Sequence, residues 1–169
     1  MIRSKNNTGE GFIMNWNKDK SILLSQIGTV CFAVLLLVLD IGSYFFSMLY
    51  VANQMYHGHD DPQMMREVWL MMLTILSGSV LGWIFLHRLW TLLLSIKGGA
   101  VFTEANVRRM RAMSWCCMGA AAICLASALY YLPFLLVGLA AGFTGLIVRV
   151  VKNVFQQAIA MKDELDLTV

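Results

Sequence analysis

Long apolar runs alternate along this chain with short polar joints. The runs cover about residues 21–50, centred on VCFAVLLLVLDIGSYFFSMLY, then 68–96, 113–132 and 134–151. Each is close to the ~20 residues with which an α-helix crosses a hydrocarbon core of about 30 Å. The predicted fold class is therefore all-α: a polytopic membrane protein built as a four-transmembrane-helix bundle. Pro133 parts the last two runs. Its missing N–H is harmless in the first turn of a helix, so spans three and four should form an antiparallel hairpin joined by the tight turn YYLP.

The polar joints divide the chain into three regions. Residues 1–20 read as a polar leader, with Asn6, Asn7, Asn15, Asn17, Lys18, Asp19 and Lys20. No small-residue cleavage pattern closes the run that follows, so the first span is expected to be retained. Residues 21–152 form the four-helix transmembrane domain. From 153 to 169 the fourth helix should continue beyond the membrane as an amphipathic extension and tail. Leu146, Ile147, Val150, Val151, Val154, Phe155, Ala158 and Ile159 make one stripe, opposite Arg149, Lys152, Asn153, Gln156, Gln157 and Lys162. Such a stripe needs an apolar neighbour. Asp163 to Val169 alternates polar residues with Leu165, Leu167 and Val169, which reads as a short strand for a partner's edge or as a disordered tail.

Composition strengthens the membrane reading. Hydrophobic residues make up 59% of the 169 and charged ones 14%, with mean hydropathy +0.67, against a usual charged share of about 25%. The net charge of +3 is too small to point to direct nucleic-acid binding. The placement of the charges says more than their sum. Of the 13 Lys and Arg, all but Arg66 fall before span one, at or between the facing ends of spans two and three, or at and beyond the end of span four. By the positive-inside bias, both termini should face the cytoplasm. Cys31, Cys116, Cys117 and Cys124 lie in apolar runs without metal-ligand neighbours, and read as small packing residues.

Within the spans, ionisable and amide side chains are the functional candidates. Asp40 lies about 30 Å of helix beyond Lys20, which suggests the outer interface, with the carboxylate reaching headgroups or accepting a bond from Ser43, Ser77 or a tyrosine hydroxyl; the alternative is a buried, protonated Asp within a small outward cavity. Arg88 is expected to reach the inner interface or to pair with Gln26. The outer loop MYHGHDDPQMM contains His57, His59, Asp60 and Asp61, ligand types that make only a weak metal candidate from one short loop. Gly78-xxx-Gly82, Gly138-xxx-Gly142 and Ala141-xxx-Gly145 are close-approach motifs, for packing within the bundle or for a homodimer.

The joint GGAVFTEANVRRMR, from Gly98 to Arg111, is the most structured polar stretch. Gly98-Gly99 should end span two and Thr103 should cap the next helix. Phe102 and Val107 suit a hydrophobic staple, and Asn106 is placed to reach back to the cap. Arg108, Arg109 and Arg111 follow. With Asn106, Arg149, Lys152, Asn153 and Asp166 they form a candidate partner-binding surface, beside the simpler role of holding anionic lipid.

These residues resemble the YoaS-like family of small four-span bacterial membrane proteins, known as domain of unknown function 2975. The likeness rests on WNKDKSILLSQI (Trp16 to Ile27), LDIG (Leu39 to Gly42), GGAVFTEANVRRMRAMSWCC (Gly98 to Cys117) and GLIVRVVKNVFQQAIAMKDELDLTV (Gly145 to Val169). It implies a bacterial plasma-membrane protein, often encoded beside a small helix-turn-helix regulator. The expected function is regulatory and non-enzymatic: holding such a regulator at the cytoplasmic face. A small channel or transporter subunit, or an outward-facing ligand or metal sensor, is the alternative. No cofactor is implied, and no carboxylate pair, nucleophile with base or phosphate loop points to catalysis.

Overall fold

The computed structural model describes residues 8–56 and 64–166. They form four α-helices: α1 (Thr8–Tyr56), α2 (Met64–Lys97), α3 (Glu104–Ser127) and α4 (Pro133–Asp166). All four are long and apolar enough to cross a membrane. With so little charge to cover a soluble surface, the chain is a multi-pass membrane protein.

Three boundaries differ from the sequence expectation. The leader from Thr8 onward is helical and continuous with the first span. α1 thus has 49 residues and measures about 74 Å, more than twice the thickness of a hydrocarbon core. At the other end, Asp163 to Asp166 are the last turn of α4 rather than a strand. Once a helix is nucleated, each added residue gains a backbone bond, and no strand among the described residues offers an edge to pair with. Residues 167–169 lie outside the described residues.

The α3–α4 turn is longer than YYLP. α3 stops at Ser127, not Leu132, and the Ser127 carbonyl accepts the N–H groups of Tyr130 (3.2 Å) and Tyr131 (3.1 Å). Pro133 opens α4, where its missing donor leaves nothing unsatisfied.

The helices pack in chain order, α1 on α2, α2 on α3 and α3 on α4. Among the described residues no Cα of α1 comes within 8 Å of α3 or α4. The result is an open array, and burial follows it: 6% of the apolar window of α1 is buried against 39% of that of α3. Three seams hold the array together. On α3–α4, a Cβ placed on Gly138, Gly142 or Gly145 would lie 3.0 Å from Leu125, 3.5 Å from Ala121 and 3.0 Å from Cys117. The small-residue motif of span four is therefore consumed inside the chain. On α2–α3, Leu81 fills the space over Gly119. Near the tyrosine end of that seam Thr74 Oγ1 bonds both the Ser127 hydroxyl and the Tyr130 hydroxyl, while Tyr130 also reaches the Leu70 carbonyl at 3.1 Å. On α1–α2, Leu36 covers Gly82, whereas Gly78 has open space around it. At the basic end, Leu92, Met110 and Met113 form a buried cluster closed by Val148 and Phe155, so α2, α3 and α4 meet there.

Candidate functional site

The joint between α2 and α3 folds as a rigid elbow. Gly99 takes φ +81°, a conformation that a side chain disfavours, and its N–H bonds the Ile96 carbonyl at 3.0 Å. Thr103 caps α3 as expected, its Oγ1 accepting the Asn106 N–H at 3.3 Å. Asn106 departs from expectation. Its Nδ2 donates to the carbonyls of Ala100 (2.8 Å) and Val101 (2.9 Å) across the elbow, not to the cap. Its Oδ1 accepts from Arg109 at 2.7 Å. Asn106 is 0% exposed, so it is a clasp inside the elbow with no surface to offer a partner. Arg109 is half-buried and tied to that clasp. Phe102 sets its ring against Phe155 of α4 at 5.3 Å, fastening the elbow to the helix extension. Of the three arginines expected on a partner surface, Arg108 and Arg111 are exposed.

Arg111 belongs to a second arrangement. With Ser114 and Trp115 of α3 and Arg149 and Lys152 of α4 it lines a recess of about 150 Å³. Residues 111, 114 and 115 share one helix face, as do 149 and 152, and the α3–α4 seam turns the two faces toward each other. Arg149 Cζ sits 5.6 Å from the Trp115 ring, within cation–π range. Buried Ser114 donates to the Gly145 carbonyl at 2.9 Å, which pins the register of the two helices under the recess. The spacing of these residues was visible in the sequence, but their convergence depends on that seam. Ser114 and Trp115 were therefore missed.

The seams also set depth. Between the Leu81–Gly119 and Leu92–Met110 contacts, Arg88 comes level with Ser114, and the α3–α4 seam puts Arg149 level with Ser114 as well. Arg88 lies nineteen residues from Trp69 on α2, about 28 Å, so one apolar layer separates a tryptophan boundary from a cationic one. Arg88 is exposed and level with Arg149. Gln26 does not pair with Arg88. Gln26 lines a recess of about 290 Å³ with Ile22, Leu23 and Lys97, roughly 13 Å of helix further from the apolar layer.

Asp40 lies deeper than expected. Trp83 Nε1 donates to its Oδ2 at 3.0 Å, and Ser43 bonds the Asp40 backbone carbonyl at 2.9 Å rather than the carboxylate. Ser77 is turned to the Thr74 carbonyl. Trp83 is about 21 Å of helix from Trp69 and about 7 Å from Arg88, which puts the carboxylate within the apolar layer. Its Oδ1 is buried with no partner among the described residues. Among the described residues, Trp83 is the one side chain that bonds this carboxylate. We expect Trp83→Phe to cost about 1–3 kcal/mol by leaving the second oxygen bare. Asp40→Leu, which removes both the acceptor and its desolvation cost, should be neutral or stabilising. Thermal unfolding in a fixed detergent, followed by size exclusion, distinguishes the two; a large loss for Asp40→Leu would reverse the assignment.

The remaining candidates divide by location. Asn153 is exposed on α4. Asp166 is the last residue of α4, and its side chain lies outside the described residues. His57, His59, Asp60 and Asp61 also lie outside them. Among the described residues no three His, Cys, Asp or Glu side chains group to hold a metal ion.

Comparison with known proteins gives one family match: the model for a protein of unknown function, DUF2975, covers residues 50–169. The chain belongs to the DUF2975 family. The match begins at Tyr50, so WNKDKSILLSQI and LDIG fall outside it, while the elbow, the recess and the whole of α2, α3 and α4 fall within. No curated protein and no solved structure matches the chain.

Proposed function

We propose that this DUF2975 protein is a non-enzymatic regulatory protein of the bacterial plasma membrane, with both termini cytoplasmic, that holds a small helix-turn-helix regulator against its basic end. The observation that carries this reading is the rigid platform at that end. α4 runs past Lys152 to Asp166, is fastened to the elbow through Phe102 and Phe155, and leaves Arg108, Asn153, Gln157 and Lys162 exposed. A fixed polar and cationic surface beside a membrane suits a partner with an acidic face. It favours a docking role over transport. A recess of about 410 Å³ between α1 and α2 is lined by apolar side chains, with Ser25 and Thr29 as its hydroxyls. Both hydroxyls donate to helix carbonyls and the lining carries no charged side chain, which suits an ion path poorly.

The test is co-purification from native membranes. The pair Arg108→Glu and Lys162→Glu should reduce partner recovery at least tenfold, as expected for loss of close charge pairs, and truncation after Ala160 should reduce it by removing the exposed end of α4. Membrane insertion should be unchanged. Recovery equal to that of the unaltered chain in both variants would overturn the docking role.

A further inference from the structure

Outside the docking surface stand the apolar α1–α2 groove, the recess beside Gln26 and Lys97, the cationic recess of α3 and α4, and the carboxylate of Asp40. The cationic recess carries the furthest argument. Arg111, Arg149 and Lys152 meet there within about 150 Å³, and among the described residues no carboxylate forms an ion pair with any of them. Cations held together in this way repel one another unless an anion joins them. The floor is prepared for one: Ser114 locks the helix register by bonding the Gly145 carbonyl, and Trp115 holds the Arg149 guanidinium over its ring, leaving the guanidinium edge free to donate. Arginine forks match the oxygens of a phosphate, and lysine adds a point charge.

Depth identifies the source of that phosphate. Arg149 and Ser114 lie level with Arg88, at the basic boundary of the apolar layer, about 24 Å of helix from Pro133 and the tyrosine turn. Trp115 is 63% exposed, as an indole placed between acyl chains and headgroups should be. We infer that the recess lined by Arg111, Ser114, Trp115, Arg149 and Lys152 is a binding site for the phosphate of an anionic lipid headgroup. Arg111 and Arg149 grip the oxygens, Lys152 neutralises the remaining charge, and Trp115 packs beside the first acyl carbons. The site differs from the docking surface above, which is formed by Arg108 and the end of α4.

The experiment uses the purified full-length chain in nanodiscs of phosphatidylcholine containing a minor share of phosphatidylglycerol, with no protein partner. Native mass spectrometry counts the lipids retained, and Trp fluorescence follows binding of brominated phosphatidylglycerol. The expected result is selective retention of phosphatidylglycerol, with the excess quenching over that by brominated phosphatidylcholine lost in Trp115→Phe while the quenching of the other four tryptophans persists. Arg111→Gln with Arg149→Gln should weaken retention roughly tenfold or more. Arg66→Gln with Lys97→Gln, an equal loss of charge away from the recess, should change it less than about twofold. Arg149→Lys tests the fork without loss of charge and should fall between. Equal retention of both lipids by the unaltered protein would overturn the site, as would equal losses in the two double variants. Displacement of the lipid by millimolar inorganic phosphate would overturn the lipid assignment in favour of free phosphate.

Discussion

Asn106→Ala is expected to lower the stability of the helical domain by about 2–4 kcal/mol, from three lost side-chain bonds at roughly 0.5–1.5 kcal/mol each. The side chain is wholly buried. It supplies both donors that close the elbow onto Ala100 and Val101 and the acceptor that fixes Arg109. Alanine would leave two carbonyls and a guanidinium without those partners, in a turn that already holds Gly99 at positive φ. Asn106→Asp should not restore the protein: it keeps the acceptor for Arg109 but sets a carboxylate against two carbonyl oxygens. Exposed Arg108, two residues on, supplies the control, with Arg108→Ala changing stability by no more than about 0.5 kcal/mol. Thermal unfolding followed by size exclusion measures the difference, and limited proteolysis at the elbow should show faster cleavage in Asn106→Ala alone. Equal stability of the two alanine variants would refute the clasp.

Gly138→Val is expected to cost about 1–3 kcal/mol or more by overpacking the α3–α4 seam. A Cβ at this position falls 3.0 Å from Leu125 Cγ and 3.2 Å from the Leu125 backbone nitrogen. The leucine side chain could turn aside, but the nitrogen cannot move without moving α3. Gly145→Val should behave alike, with its Cβ 3.0 Å from Cys117 Cβ. Gly28→Ala and Gly78→Ala meet nothing within 4 Å and should each stabilise by about 0.5–1 kcal/mol, as alanine does over glycine within a helix. Opposite signs for glycines with the same local sequence appearance would establish which seam is tight. A neutral Gly138→Val would mean that α3 and α4 are not in this register.

Features set by local chemistry were legible in the sequence. Apolar run length revealed the four helices, Pro133 marked the start of α4, and Thr103 with Gly99 marked the elbow. The helical stripe through Ile159 carried α4 beyond its apolar segment. What escaped depended on register between helices. Asp40 could be placed only by distance from Lys20, which put it at an interface, whereas its neighbour Trp83 sets it inside the apolar layer. Arg111, Arg149 and Lys152 were each evident as cations near span ends. Nothing in a linear reading says that Ser114 and Gly145 lock two helices so that these cations share one recess. Asn106 misled for a related reason: an exposed cap residue and a buried clasp look alike until the chain turns back over them.

The chain-order packing bears on how the molecule is assembled. Each helix rests on the one synthesised just before it, and apart from the Tyr50–Tyr131 ring contact the helix packing does not wait for a distant later segment. Contacts of this kind close short loops and carry little entropic delay. A membrane-inserted chain could therefore settle helix by helix as it emerges, with the elbow and the Tyr130 turn setting each reversal. α1 would then enter first, packed on α2, and Tyr131 of the later turn would set its ring against Tyr50 at 5.1 Å.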